Sequence, residues 1–134
     1  MARELVLASN REGGRVVLEA SSPSAEWWSV TVELTGLHAR AKIDGDPMGI
    51  AEHLGEWFGA LAADWRGWDG QRTWHSIEGT LRLTATHDGL GTVLLYVHLK
   101  RSTCEADWAI DGPVWLDAGA LPAVARAARA FSER

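Results

Sequence analysis

At 134 residues, 46% of them apolar and 23% charged, the chain has the size and composition of a single folded domain, which excludes disordered and fibrous classes. Thirteen basic against eighteen acidic residues leave a formal charge of −5, an argument against non-specific nucleic-acid binding, and no apolar run is long enough to span a bilayer. The lone Cys104 cannot form an internal disulfide, and residues 5–8 are too short a run for a signal-peptide core, so a cytoplasmic, soluble protein is expected.

In chain order, residues 5–9 and 16–20 are short β-like runs around the turn-rich Asn10, Arg11, Glu12, Gly13 and Gly14, and predict a hairpin. A surface loop through Ser21, Ser22, Pro23 and Ser24 follows. From Trp27 the chain alternates, with Trp28, Val30, Val32 and Leu34 on one face and Trp27, Ser29, Thr31, Glu33 and Thr35 on the other. That is the pattern of a half-buried strand. Beyond Gly36 the inward set resumes as Leu37, Ala39, Ala41 and Ile43, with His38, Arg40 and Lys42 outward. Gly36 is either a tight turn between two strands or a bulge in one long bent strand. The one-residue slip of the apolar set favours the bend.

Asp46-Pro47 predicts a helix start, because aspartate accepts from free first-turn N–H groups and proline is tolerated at the first helical position. Ile50, Leu54, Trp57, Phe58, Leu61 and Trp65 then fall on one arc of about 100°, the width of a core-facing stripe. Glu52, His53, Glu56 and Asp64 lie outside it. Gly55 and Gly59 each cost a helix about 1 kcal/mol relative to alanine, and Gly59, opposite the stripe, points to close backbone contact or to stability supplied by packing. The helix should end near Arg66-Gly67, with Asp69-Gly70 a second turn signal.

Next comes a predicted hairpin. Ile77, Gly79, Leu81, Leu83 and Ala85 face inward, then Val93, Leu95, Val97 and Leu99 after the loop His87-Asp88-Gly89-Leu90-Gly91. A five-residue loop sets Thr86 opposite Thr92, Arg82 opposite Tyr96, Thr80 opposite His98 and Glu78 opposite Lys100, the last a favourable charge pair. Leu94 and Tyr96 are apolar bodies on the wet face. Trp108 and Ile110 suggest a short strand, Asp111-Gly112-Pro113 a turn, and residues 114–116 a further strand or the entry to a last helix. Leu121, Val124, Ala128 and Phe131 mark that helix, with Pro122 fitting only its first turn. No repeat or linker divides the chain. The expectation is one α+β domain, residues 1–134. It has a mainly antiparallel curved sheet of about six strands, with one central and one C-terminal helix packed on it, in the order ββββ-α-ββ-β-α.

Little in this pattern carries chemistry. The five histidines, His38, His53, His75, His87 and His98, lack metal-ligand spacing, and no C-x-x-C occurs. No nucleophile elbow, Walker loop or dinucleotide fingerprint is present. The glycines around Asp88 join strand to strand, so they read as a turn rather than a phosphate cradle. Asp64, Asp69, His75 and Glu78 could supply an acid and a base, although carboxylates in turns are usually solvated. Neither a catalytic residue, a metal nor a cofactor is therefore expected. Eight tryptophans are the oddity of the composition: most should build the core, while Trp65, Trp68 and Trp74, with His75, could form a ligand platform.

The run Trp57-Phe58, Leu61, Trp65-Arg66-Gly67-Trp68, Trp74, Ile77-Glu78-Gly79, Leu81-Arg82-Leu83 and Thr86-His87-Asp88-Gly89 leading to Gly91 resembles an uncharacterised bacterial family of unknown function. In layout, with a helix and Gly-rich corner before an alternating hairpin, the chain distantly resembles the small immunity proteins associated with wall-associated polymorphic toxins. That resemblance implies no catalytic residues.

Between Asp44 and Asp69 lie Asp44, Asp46, Glu52, Glu56, Asp64 and Asp69 against Arg66 alone. The leading expectation is a small non-enzymatic, immunity-like module that masks a basic, toxin-like protein, with Glu52, Glu56, Asp64, Trp68 and Asp69 as its contact residues. Arg82, Leu94 and Tyr96 form a second candidate face, since exposed aromatics and arginine anchor interfaces. A homodimer through the outward face of the hairpin is also open; nucleic-acid and membrane partners are not expected. The alternative is a small-molecule or carbohydrate binder using Trp65, Trp68, Trp74 and His75.

Overall fold

A computed structural model describes residues 3–11, 13–21, 26–102 and 107–132. Cys104, Glu12, Ser22, Pro23 and Ser24 lie outside the described residues. The elements are β1 (Arg3–Ala8), β2 (Arg15–Ala20), β3 (Trp27–Leu34), β4 (Leu37–Asp44), α1 (Leu54–Ala63), β5 (Arg72–His75), β6 (Leu81–His87), β7 (Thr92–Lys100), β8 (Ala109–Asp117), a 3-10 turn at Ala118–Ala120, and α2 (Leu121–Ser132). The strands form two four-stranded antiparallel sheets, β1-β2-β3-β4 and β5-β6-β7-β8. The α+β class therefore stands, while the expected single sheet of about six strands is, among the described residues, two sheets with eight strands. No helix among the described residues is long and apolar enough to cross a membrane.

The missed strand β5 and the strand β8, expected to be broken by a turn, each have a physical reason. In β5 only Trp74 is buried, so its four residues carry no alternation to read. In β8, Gly112 and Pro113 do not turn the chain but pair with Val97 and Tyr96 on the outermost strand of the sheet, where proline's missing N–H costs no ladder bond.

Gly36, at φ 77°, closes a two-residue turn in which Leu34 pairs with Leu37, so the bend or bulge expected there is a hairpin. This pairing also explains the slip of the apolar set. Residues directly opposite share a face, so even-numbered Val30 and Val32 lie beside odd-numbered Ala41 and Ala39.

The β6–β7 register differs from expectation by two residues. Arg82 faces His98, Thr84 faces Tyr96 and His87 faces Val93. The Asp88 carboxylate accepts from the N–H groups of Leu90 (2.7 Å) and Thr92 (3.0 Å), which sets the loop one residue later than expected. The Glu78–Lys100 pair does not form, because residues 76–80 turn: Gly79 N–H donates to Ser76 O at 2.8 Å, and Ser76 Oγ accepts from Leu81 N–H at 3.1 Å. Ile77 and Gly79, expected to point inward from a strand, are half-buried in that turn. A shift of two preserves the faces, so Leu81, Leu83, Ala85, Val93, Leu95, Val97 and Leu99 are all buried as expected.

The inward rows of both sheets and the buried stripes of α1 and α2 make one apolar core cluster. The two sheets meet at one side, where Asn10 N–H donates to Trp115 O (2.8 Å) and Trp115 N–H donates to Ser9 Oγ (3.0 Å). Leu34 plugs this joint, packed against Gly14 and Gly112, whose missing Cβ atoms leave it room. The helices pack on each other with Gly55 against the backbone of Arg129 and Gly59 against its guanidinium, so the close backbone contact expected at Gly59 lies one turn earlier, at Gly55. The Arg3 guanidinium donates to Phe131 O (2.9 Å), tying β1 to the end of α2.

Candidate functional site

The sequence places a helix start at Asp46, but the helix begins at Leu54, and residues 45–53 form a loop. Asp46 does act as a cap. Its two carboxylate oxygens accept from Ile50 N–H and Ala51 N–H, each at 2.8 Å. Its own φ of 54° and that of Gly49, 67°, break the helical path, so the cap closes a loop rather than a first turn. Two side chains are pushed outward as a result: Met48 is 81% exposed, and Ile50, expected in the buried stripe, is 72% exposed. The true stripe is Leu54, Trp57, Phe58 and Leu61, all buried, and Trp65, expected on it, is 42% exposed.

This loop forms one wall of a cleft of about 500 Å³. The end of β4, Trp28, the start of α1, Trp74 with Ser76 and Ile77, and Ser132 at the end of α2 complete the lining. Trp74 is held by a 2.8 Å hydrogen bond from its indole N–H to Glu52 O. His53 donates from Nε2 to Ser132 O at 3.1 Å, since a carbonyl can only accept, and so pins the start of α1 to the end of α2. Asp44, Asp46, Glu52 and Glu56 line this cleft, and no lysine or arginine does so among the described residues. Asp44 accepts from Asp46 N–H at 2.7 Å, whereas Glu52 and Glu56 are exposed and make no ion pair among the described residues.

The residues singled out from sequence are distributed over three places. Glu52, Glu56 and Trp74 line the cleft. Asp64, Trp65, Trp68 and Asp69 lie at the far end of α1, in a corner that consumes most of them. The Arg72 guanidinium pairs with Asp64 (2.8 Å) and lies over the Trp68 ring (4.9 Å), Trp68 meets His87 edge-on (5.1 Å), and Arg66 covers Trp65 (5.3 Å). There His87 accepts from Gly89 N–H at Nδ1 (2.9 Å) and therefore donates from Nε2 to Trp65 O (2.8 Å). Within this corner the buried Trp68 indole N–H has no hydrogen-bond partner among the described residues.

The third place is the outer face of the β5–β8 sheet, which carries Arg82, Leu94, Tyr96 and His75. The four residues of the expected ligand platform thus do not share one surface, for Trp74 points into the core and His75 out of it. The acid–base set is divided as well. Asp64 and Asp69 lie at the α1 corner, His75 on β5 and Glu78 in the β5–β6 turn.

Two carboxylates are electrostatically distinctive. The backbone N–H groups of Leu90 and Thr92 hold Asp88 below its ordinary pKa. For Asp107, loss of solvation pushes upward, and hydrogen bonds from Ser102, Trp108 and Arg101 outweigh it, so it too lies low. Both serve loops rather than the cleft. Among the described residues no three His, Cys, Asp or Glu side chains gather as metal ligands.

Sequence reading missed Trp28, Asp44, Met48 and Ser132 as parts of one site, because only folding brings these distant segments together. Residues 7–134 match a family of unknown function (DUF6228). No curated protein and no solved structure matches the chain. The chain belongs to that family.

Proposed function

We propose that this member of the family of unknown function (DUF6228) is a non-enzymatic binding module whose acidic cleft docks and masks a basic protein, as an immunity protein does its toxin. The observation that carries this reading is the cleft itself. Asp44, Asp46, Glu52 and Glu56 line a concavity of about 500 Å³ that no lysine or arginine lines among the described residues, Glu52 and Glu56 make no ion pair there, and Met48 and Ile50 stand exposed beside it. A carboxylate at Glu56 has a local explanation, because the N-terminus of a helix favours negative charge by about 0.3–1 kcal/mol. Met48 and Ile50, turned outward by the loop at Asp46 and Gly49, add apolar surface beside these carboxylates. A flexible thioether beside a charged rim suits a protein interface, in which the charges steer the encounter and the apolar group fills the partner's surface.

The test is a binding titration against basic proteins encoded beside this chain's gene. The expected result is a one-to-one complex that weakens as salt rises, and a Glu52→Gln/Glu56→Gln variant that binds at least about tenfold more weakly with a shallower salt dependence. The absence of any complex at micromolar concentration would sink the reading.

A second reading, a small-molecule or carbohydrate binder, draws support from the same cleft, whose volume is that of a ligand pocket and whose lining includes Trp28 and Trp74. Those indoles are only 8% and 4% exposed, which leaves little ring face for stacking on a sugar. A change in tryptophan fluorescence on titration with sugars or nucleotides would favour this reading; a flat response would count against it.

A further inference from the structure

Each sheet has two outermost strands, and three of these four are engaged or short. β1 and β8 meet at the joint between the sheets, and β5 has only four residues. β4 is eight residues long and among the described residues pairs with β3 alone. In an antiparallel pair, hydrogen-bonded and non-bonded residue pairs alternate, so the ladder fixes which main-chain groups of β4 are left over. Gly45 N–H donates to Glu26 O at 2.7 Å, which continues the β3–β4 register one pair beyond Trp27 and Asp44 and makes the odd-numbered residues of β4 the bonded ones. The two-residue turn that pairs Leu34 with Leu37 has the same phase. The N–H and C=O groups of His38, Arg40 and Lys42 therefore point away from β3, and they have no partner among the described residues. The side chains of these three are exposed on the outer face, because Ala39, Ala41 and Ile43 between them face the core. Arg40 and Lys42 make no ion pair among the described residues, while His38 lies 3.7 Å from Glu33, which Arg15 holds at 3.0 Å. The other charges nearby leave this edge basic. Glu4 and Glu19 share a shallow concavity with Arg40 and Lys42 but stand on β1 and β2, beyond β3. Arg3, at the same concavity, donates to Phe131 O. Asp44 accepts from Asp46 N–H, and Glu26 lies past the strand's end, opposite Gly45.

We propose that the open edge of β4 receives an extended acidic segment of a partner protein, which adds to the sheet as a further antiparallel strand with carboxylates two residues apart set against Arg40 and Lys42. Such a strand exchanges both main-chain bonds with each of His38, Arg40 and Lys42, and its own outward side chains then stand directly opposite theirs. Opposite charges so placed attract and like charges repel. The same cations disfavour a second copy of β4. A two-fold pairing centred on Arg40 sets Arg40 against Arg40 and His38 against Lys42, and one centred on Ala41 sets Arg40 against Lys42 twice. Centring on Lys42 sets Lys42 against Lys42 and leaves Arg40 only Asp44, a carboxylate that already accepts from Asp46 N–H. Lysine and arginine on an edge strand keep copies of a chain apart, and here they leave a strand of the opposite charge as the occupant that fits. The chain as a whole carries −5, so the attraction belongs to this edge and not to the net charge.

The test is an NMR and hydrogen-exchange titration of the whole chain with a seven-residue peptide, blocked at both ends, in which glutamate alternates with valine and threonine. The expected result is slower exchange at the amides of His38, Arg40 and Lys42, with no added protection at those of Ala39, Ala41 and Ile43, which are already bonded to β3. The same peptide with lysine for glutamate should bind about tenfold or more weakly. The glutamate peptide N-methylated at its central residue keeps its charge but loses the donor to Arg40 O, and it too should bind about tenfold more weakly, which separates strand addition from surface attraction. An Arg40→Glu/Lys42→Glu variant, its fold checked by circular dichroism, should prefer the lysine peptide; the peptide series on the wild-type chain decides the matter whether or not that variant folds. No protection at the three amides at millimolar peptide, equal binding of the glutamate and lysine peptides, or equal binding of the N-methylated one would each overturn the proposal. Protection of the same amides that grows with protein concentration alone, the mark of a second copy, would overturn it as well.

Discussion

Gly55 and Gly59 sit one turn apart on α1, both facing Arg129 of α2, yet alanine at the two positions should have opposite effects. A Cβ on Gly55 would lie 2.9 Å from Arg129 Cα and 3.2 Å from its backbone nitrogen, as well as 2.7 Å from Cγ. Backbone has no rotamer to retreat into, so the two helices must part by several tenths of an ångström, and overpacking of this kind costs about 1–3 kcal/mol. The gain in helix propensity is about 1 kcal/mol. Gly55→Ala should therefore be destabilising by up to about 2 kcal/mol. A Cβ on Gly59 would meet Arg129 Nη2 at 2.6 Å, with nothing nearer than the guanidinium carbon at 3.4 Å behind it. That flexible tip can swing aside into solvent, so Gly59→Ala should retain most of the propensity gain and stabilise by up to about 1 kcal/mol. Urea unfolding followed by tryptophan fluorescence resolves the difference, and a change of 1 kcal/mol shifts Tm by about 2–8 °C for chains in this size range. If Gly55→Ala proves as stabilising as Gly59→Ala, the close packing of α1 on α2 described above is wrong.

Three further outcomes follow from the geometry. Gly112→Ala displaces Leu34 from the joint between the sheets and should cost about 1–3 kcal/mol, but much less in a Leu34→Ala background; a denaturation double-mutant cycle with no coupling would contradict that contact. Asp46→Ala removes the acceptors of Ile50 N–H and Ala51 N–H and should lower stability by about 1–3 kcal/mol while speeding hydrogen exchange at those two amides; unchanged exchange there would refute the loop geometry. Asp88 is held below its ordinary value of 3.8 by the N–H groups of Leu90 and Thr92, so its contribution to stability is present above that value and lost as pH falls through the lower, folded-state pKa. An NMR titration should show the Leu90 and Thr92 amide shifts moving with the Asp88 carboxyl at a midpoint below 3.8, and a midpoint at or above 3.8 would contradict the assignment.

What the sequence made legible was wherever burial alone sets the pattern. Strict alternation over Val93, Leu95, Val97 and Leu99, and the helical spacing of Leu54, Trp57, Phe58 and Leu61, are direct records of which side chains leave water. Features decided by polar contacts or by distant chain segments were not. Asp46 is a capping residue by type, but the positive φ at Asp46 and Gly49 makes what it caps a loop, and no hydropathy pattern reports that. The β6–β7 register follows from which N–H groups Asp88 captures, a local choice that outweighs the attractive Glu78–Lys100 pairing. Of the four acidic contact residues expected from the sequence, Glu52 and Glu56 lie at the cleft, while Asp64 is neutralised by Arg72, an ion pair formed across eight residues through the missed strand β5. The remaining walls, Trp28 and Ser132, come from positions far apart in the chain, so the cleft could not be read before the fold was known.

The central claim, that the acidic cleft receives a basic protein, is tested most directly by hydrogen exchange of this chain alone and in complex with a basic protein encoded beside its gene. Slower exchange concentrated in residues 44–56 and 74–77, and its disappearance along with binding in the Glu52→Gln/Glu56→Gln variant, is the predicted result. Protection confined to other surfaces, with residues 44–56 exchanging as in the free chain, would contradict it.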